Sequence, residues 1–391
     1  VRILHVSDAY LPKQGGIEVQ VHDLAGRQRE TGHEVTVVTC ADAAQGDRAA
    51  GRSEPSTGTE IGSSPQEQMQ EQTQEQLPVI RLGVPWGRVR RTNAGLRTIM
   101  RTTRADVVHA HLSVLSPLSI LAVRAAAKDG VPVVATLHSL WWFATPLYLI
   151  ADLIVGWSRW PVRWTAVSEL AAAPLRAVLR RHTDVGILPN GIDPGAWSVD
   201  PVPRDPNDVL VVTVMRLAAR KRPKALLKAF RQALDQLPDG VRLRLVVIGD
   251  GPLRPKLERE IERLDLGEQV ELRGSQPRDR IRELYRRADL YVAPAVLESF
   301  GIAALEARSA GLPVIAREQT GIADFIRHRE HGLLAADDAG LTAAMVELAR
   351  TPHLRARMSA TSRATAPECG WAEVLQRCEL AYKLAHELAR T

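Results

Sequence analysis

The sequence predicts an α/β chain of two parallel-sheet domains, and three observations carry that expectation. Short β-rich runs alternate with helical patterns in both halves, as parallel strands joined by crossover helices require. The alternation breaks once, in the Pro- and Asp-rich stretch 193–208, and then resumes. The 391 residues, 45% of them apolar and 25% charged, are enough for two cores of ordinary size.

In chain order, the first set of strands is expected at 2–6, 34–39, 79–82, 106–109, 132–137, 163–167 and 186–189. Between the second and third, residues 41–77, most clearly 46–76, are rich in Gln, Ser, Gly and Glu and lack apolar periodicity, so they read as a disordered surface loop. The second set is expected at 209–214, 242–248, 270–272, 289–293, 313–316 and 332–335, followed by a helical segment from about 371 to 390. The organisation that follows is a Rossmann-like domain over 1–193 with an insert at about 41–78, a hinge at 194–208 and a second Rossmann-like domain over 209–370. Residues 371–391 form a terminal helix. Two such domains are expected to face each other across a cleft.

Composition narrows the function classes. The net charge is +6 with a pI near 9.5, carried by 44 Arg against 7 Lys. Arg suits contacts with phosphate or anionic lipid, and equally it is what a GC-rich genome yields. Cys40, Cys369 and Cys378 contain no Cys-x-x-Cys pair and cannot all pair within one chain, which fits a reducing cytoplasm. The first residues, Val1-Arg2-Ile3-Leu4-His5-Val6-Ser7-Asp8, turn polar too soon for a signal peptide. The apolar segment 141–157 contains Pro146 and Asp152 and is shorter than the ~20 residues of a spanning helix. A nicotinamide enzyme would share the architecture, but Lys13-Gln14-Gly15-Gly16-Ile17-Glu18 is not G-x-G-x-x-G, and Gly249-Asp250-Gly251 has Arg254 where a third glycine belongs. Nothing points to a nucleic-acid partner.

Chemistry concentrates in Leu297-Glu298-Ser299-Phe300-Gly301-Ile302-Ala303-Ala304-Leu305-Glu306. This run follows a strand and opens an Ala-rich helix, whose first-turn N–H groups point beyond the strand's carboxyl end and suit a phosphate. Glu306 lies roughly 7 to 8 Å along the helix from Gly301 at ~1.5 Å per residue. The two carboxylates can thus reach a sugar and a ribose, with a diphosphate between them. On these residues the segment resembles the signature of retaining family 4 glycosyltransferases of the GT-B fold, the glycosyl transferases group 1. That fold implies two Rossmann-like domains with the C-terminal helix returning to the first.

Other segments extend the resemblance over most of the chain outside the insert. Arg216 and Lys221, in Met215-Arg216-Leu217-Ala218-Ala219-Arg220-Lys221-Arg222-Pro223, match the family's Gly-Arg-Leu and Lys-Gly, with Met215 and Arg222 replacing the glycines. Arg220 and Arg222 read as a solvated face. Gly15 and Gly16 stand at the first strand-to-helix turn, either as a tight turn or, by resemblance, as the loop that contacts the donor's diphosphate and shapes the acceptor side. Glu18 follows at the helix start. His138 closes a strand in Thr136-Leu137-His138; a histidine there is often structural, but the resemblance places it against the donor sugar. His109 and His111 are further cleft candidates. His328 and His331 could share a helix face, without a carboxylate or thiol set to complete a metal site. Leu188-Pro189-Asn190-Gly191-Ile192-Asp193, Gly249-Asp250-Gly251-Pro252 and Thr320-Gly321-Ile322-Ala323-Asp324 also match, the last departing from the family's Gly-Gly at Thr320.

The resemblance implies transfer of a sugar from a UDP- or GDP-linked donor to an acceptor hydroxyl, on a glycan, lipid or small molecule, with retention and without metal or cofactor. Arg216, Lys221 and the N–H groups at Phe300, Gly301 and Ile302 would stabilise the departing diphosphate, each such donor being worth ~10²–10³ in rate. Glu298 would orient the sugar and Glu306 the ribose. Rival readings are a GT-B epimerase, a phosphorylase with a pyridoxal-phosphate lysine, or a non-catalytic two-domain sugar-binding protein. Finally, Arg97, Arg101 and Arg104 recur at helical spacing after Arg88, Arg90 and Arg91, with Leu96, Ile99 and Met100 as an apolar side. They are either a solvated basic face or, as in membrane-associated members of the resembled family, a docking surface for anionic lipid helped by the Trp-rich segment 141–164. The expected location is the cytoplasm, peripheral to the inner face of the plasma membrane.

Overall fold

The computed structural model describes residues 1–12, 15–40, 77–82, 89–142, 144–179 and 184–390; all of the loop expected at 41–77 except Leu77, and Arg88, lie outside the described residues. The chain divides into two compact units. The first comprises Val1–Ala166, Pro174–Leu188 and Leu375–Thr391, and the second Val167–Ala173 and Pro189–Val374.

The first unit holds β1 (Arg2–Ser7), α1 (Gly16–Glu30), β2 (Glu34–Thr39), β3 (Val79–Arg81), α2 (Val89–Thr102), β4 (Val107–Leu112), α3 (Pro117–Lys128), β5 (Val133–Leu137), α4 (Thr145–Val155), β6 (Arg163–Ala166) and β7 (Gly186–Ile187). Helix α5 (Glu169–Leu179) passes between the units. Its sheet runs β3-β2-β1-β4-β5-β6-β7, every neighbour parallel. Helices on a parallel sheet bury both faces, which is why β1, β4 and β5 are nearly continuous apolar runs. Asp8, just past β1, caps α3: its carboxylate accepts from the N–H of Leu118 at 2.9 Å and of Ser119 at 3.0 Å, and from the Ser119 hydroxyl at 2.8 Å.

The second unit holds α6 (Pro194–Trp197), β8 (Asp208–Val214), α7 (Pro223–Leu234), β9 (Arg242–Ile248), α8 (Arg254–Arg263), β10 (Val270–Gly274), α9 (Arg278–Arg287), β11 (Leu290–Ala293), α10 (Ile302–Ser309), β12 (Val314–Arg317), β13 (Gly332–Ala335), α11 (Asp338–Arg350) and α12 (Pro352–Ala364). Its sheet runs β10-β9-β8-β11-β12-β13, again all parallel. Leu217, Leu226 and Phe230 are fully buried in the core beside Val209, Val211, Leu243 and Leu245. Helix α13 (Trp371–Leu388) starts in this unit and ends in the first, so the terminal helix returns as the fold class implies.

Each expected strand is present. The larger boundary change is β4, which runs on to Leu112 instead of ending at 109, because His109 and His111 pair inside the sheet with Val134 and Thr136. His328 and His331 do not share a helix face. They lie in a turn, where Leu334 N–H donates to His328 Nδ1 at 3.0 Å and Arg327 N–H to His331 Nδ1 at 3.2 Å. The tryptophans of 141–164 are mostly core: Trp141, Trp157 and Trp164 are buried and meet edge to face in series with centroids 6.2 and 5.1 Å apart, leaving Trp142 as the exposed one.

Candidate active site

Strands β8 and β11 are neighbours in the second sheet, while the chain after β8 proceeds towards one edge and the chain after β11 towards the other. Such a reversal opens a crevice beyond the strands' carboxyl ends, where ligands of open α/β sheets bind. The expected residues gather there. Arg216, two residues past β8, is exposed and has no ion-pair partner among the described residues. Lys221 ends a short 3-10 turn (Ala219–Lys221), and its ammonium forms a part-buried ion pair with Glu298, past β11. The sequence motifs assign Lys221 to the diphosphate and Glu298 to the sugar without bringing the two together. Their pairing across the reversal point fixes the ammonium beside the carboxylate at the strands' carboxyl ends.

Gly301 caps α10 with φ +92, and a Cβ there would press on Ile322, so glycine is required. Phe300 is buried against Phe325 at a centroid distance of 5.4 Å, fixing the turn into the helix. The N–H of Gly321 donates to the carbonyl of Glu298 at 2.9 Å, which ties down the backbone carrying that carboxylate. Glu306 lies about one turn into α10, which begins at Ile302. Burial pushes the Tyr291 hydroxyl up, with smaller contributions from the charges of Glu306 and Glu298, so it stays protonated and donates to Val214 O at 3.2 Å.

The departures from the family pattern are absorbed locally. Arg222 has φ +57, the left-handed conformation that favours glycine. It is not a solvated face: its guanidinium makes two 2.7 Å hydrogen bonds to Asp338, which also accepts from Arg317 at 2.8 Å. Thr320, in place of a glycine, is buried and its hydroxyl donates to Arg317 O at 2.7 Å.

In the first unit the reversal lies between β1 and β4. Gly15 caps α1 and Gly16 begins it; the carboxylate of Glu18 fills the space a Cβ on Gly15 would need. An acidic residue in the first turn suits the helix dipole, and it also puts negative charge at the loop assigned to the diphosphate. His138, just past β5, is 8% exposed and bonds through Nε2 to His111 Nδ1 at 3.0 Å. The expected cleft candidates His109 and His111 are instead buried in a network with His5, Gln28 and Tyr382, which the sequence did not single out. His5 bonds to His111 at 2.9 Å and to Gln28 at 2.7 Å, Gln28 to Tyr382 at 2.7 Å, and His109 to Tyr382 at 3.0 Å and Thr136 at 2.7 Å. A signal existed for part of it: polar residues recur with period two on the otherwise apolar β1 and β4.

The ring nitrogens of His5, His109 and His111 come within 4.8 Å of one another, as metal ligands would. Yet tetrahedral zinc at ~2.05 Å holds nitrogens roughly 3.3 Å apart, and here every ring nitrogen of the three already has a hydrogen-bond partner: His5 has His111 and Gln28, His109 has Tyr382 and Thr136, and His111 has His5 and His138. Burial pushes His5 down to about 4 and His109 and His111 well below the ordinary histidine value, so the cluster is uncharged at neutral pH.

Comparison with known proteins identifies the kind of protein that carries this site. Residues 14–196 match the family model Glycosyltransferase Family 4, and residues 199–365 match Glycosyl transferases group 1. The phosphatidyl-myo-inositol mannosyltransferase of Mycobacterium leprae is 31% identical over 292 residues, covering 71% of this chain and 73% of that protein. The D-inositol 3-phosphate glycosyltransferase of Frankia alni is 27% identical over 401 residues, 95% of each chain. The phosphatidylinositol N-acetylglucosaminyltransferase gpi3 subunit of Schizosaccharomyces pombe is 28% identical over 324 residues, covering 82% of this chain and 67% of that protein. Among solved structures, Anabaena HepE in complex with UDP superposes with a TM-score of 0.75 at 18% identity, covering 98% of this chain and all of that one. Sucrose-phosphate synthase from Thermosynechococcus elongatus superposes with a TM-score of 0.71 at 18% identity over 98% of each. The chain belongs to the GT-B superfamily of nucleotide-sugar-dependent glycosyltransferases.

Proposed function

We propose that the protein is a retaining, metal-independent hexosyltransferase that moves a sugar from a UDP- or GDP-linked donor to a hydroxyl of an inositol-bearing acceptor. The observation that carries the reaction is the Lys221–Glu298 ion pair at the β8–β11 reversal, with Arg216 and the start of α10 beside it. The bond from the anomeric carbon to the phosphate oxygen breaks and a bond to the acceptor oxygen forms on the same face. The acceptor's proton passes to the departing phosphate oxygen. Arg216, Lys221 and the N–H groups at Phe300, Gly301 and Ile302 meet the growing charge, the role a divalent metal would otherwise take. Glu298 accepts from sugar hydroxyls, Glu306 from the ribose, and His138 faces the sugar. Gly15 and Gly16 let the acceptor and diphosphate approach the backbone, and the Glu18 carboxylate suits acceptor hydroxyls.

Inositol is proposed because three relatives, from a yeast and two bacteria, share it in their names. We further place the work on the cytoplasmic face of a membrane, from the Arg-rich α2 and the exposed apolar residues of α4. The test is donor hydrolysis with a panel of UDP- and GDP-sugars in EDTA, then transfer to inositol phosphates and to phosphatidylinositol in vesicles. An α-donor must give an α-linked product, read from the anomeric proton coupling. A β-linked product would refute retention, loss of turnover in EDTA would refute metal independence, and turnover only with acceptors lacking inositol would refute the acceptor class.

A further inference from the structure

We propose that a one-directional chain of eight hydrogen bonds, anchored on the backbone carbonyl of Ala135, fixes His138 as the Nε2–H tautomer and so presents its Nδ1 as an acceptor. This makes Gln28, His5 and His111 positioning residues for His138, and it rests on the proposed function, in which His138 faces the donor sugar.

The direction follows link by link. A carbonyl only accepts, so Thr165 gives its hydroxyl hydrogen to Ala135 O at 3.4 Å. Thr165 must then accept from Thr136, 2.7 Å away, and Thr136, its own hydrogen spent, accepts from His109 Nε2–H at 2.7 Å. His109, uncharged in its buried site, has a lone pair on Nδ1 and accepts from the Tyr382 hydroxyl at 3.0 Å. Tyr382, held protonated by burial, has now given its hydrogen and accepts from Gln28 Nε2–H at 2.7 Å. This orients the amide: its oxygen faces His5 and accepts from Nε2–H at 2.7 Å. His5 is uncharged, so its Nδ1 accepts from His111 Nε2–H at 2.9 Å. His111 is uncharged too, and its Nδ1 accepts from His138 Nε2–H at 3.0 Å.

In its uncharged form His138, donating through Nε2, keeps a lone pair on Nδ1 that takes a hydrogen bond from a sugar hydroxyl. If the Gln28 amide turned over, every link from His5 onward would reverse and His138 would present an N–H, suited to a different part of the donor. The network thus does more than fill the core, because it decides the sign of the interaction at the site.

Long-range proton–nitrogen correlation spectra of ¹⁵N-histidine-labelled wild-type protein at pH 7 test this directly, with His138 assigned from a His138→Gln sample. The expected result is one Nε2–H tautomer at His5, His109, His111 and His138. An Nδ1–H tautomer at His138, or averaging between its two nitrogens, overturns the proposal. In Gln28→Leu, which cuts the joint between the two branches, His138 should average between tautomers, and donor-hydrolysis kcat should fall about tenfold with KM changed less than about twofold. Gln28→Glu, which still accepts from His5, should restore a single tautomer and most of kcat. A lowered melting temperature in Gln28→Leu with the His138 spectrum and kcat unchanged means a structural role only and overturns the proposal. Should that variant not fold, the wild-type spectrum decides alone. Unchanged turnover in His138→Ala would instead sink the assignment of His138 to the sugar, whatever the spectrum shows.

Discussion

Arg222 stands in the left-handed conformation, which costs an L-residue roughly 1–2 kcal/mol relative to glycine, and the two bonds to Asp338 offset that cost. Arg222→Gly loses the pair but relaxes the backbone, whereas Arg222→Ala loses the pair and keeps the strain. Ala should therefore be the less stable by about 1 kcal/mol in urea unfolding, and equal midpoints would show that φ here is not strained. At the Lys221–Glu298 pair, Lys221→Ala and Arg216→Ala should each lower kcat by ~10²–10³ with little rise in donor KM, since both act on charge that grows in the transition state. Glu306→Gln should weaken binding of bare nucleoside diphosphate in calorimetry, while Glu298→Gln spares it and loses turnover; equal losses of affinity would refute that division. The positions of Arg216, Lys221 and Glu298 past β8 and β11 were legible because each follows a strand end within seven residues. The ion pair between Lys221 and Glu298 was not, because the partners are 77 residues apart and only the sheet order β8-β11 brings them together.

At the scale of elements, β1 and β4 carry three buried histidines where apolar residues would be expected, and this sets an acid limit on the first unit. His5 takes up a proton near 4 when folded but near 6.5 when unfolded, and His109 and His111 are lowered by the same cause, burial. Between those values the unfolded chain binds more protons, so stability is intact above pH 6.5 and falls as the pH drops towards 4. With three such groups the slope approaches roughly 4 kcal/mol per pH unit near pH 5. Carboxylates do not mimic this: Asp106, held down to about 2 by its hydrogen bond to Arg2, loses its contribution at lower pH. Calorimetry at pH 7.5, 6 and 5 should show a steep fall in melting temperature over that range. A flat profile would mean the cluster is hydrated or charged in the folded state. The strands themselves were legible throughout, since a parallel sheet writes short apolar runs into the sequence. The network was legible only in its strand members, whose period of two is visible. Gln28 and Tyr382 meet across 354 residues from helices α1 and α13, a contact that no local pattern encodes.

For the whole molecule the open question is where it works. Among the described residues no helix is long and apolar enough to cross a membrane. The residues proposed for lipid docking are not all available on the surface. Arg97 is taken by an ion pair with Asp129 at 2.8 Å, whereas Arg90, Arg91 and Arg101 on α2 are exposed. The buried tryptophans give way to α4, where Leu147, Ile150, Leu153 and Ile154 are 57–81% exposed, with Trp142 just before it. The two features predict different salt behaviour. Each Arg near anionic lipid is worth ~1 kcal/mol, so Arg90→Ser, Arg91→Ser and Arg101→Ser together should weaken vesicle binding by roughly 3 kcal/mol at low salt and by much less at high salt, where the charges are already screened. Leu153→Ser with Ile154→Ser removes apolar insertion and should weaken binding equally at both. If the wild-type protein does not sediment with anionic vesicles at low salt, the membrane claim falls, and a soluble inositol phosphate becomes the better acceptor to test.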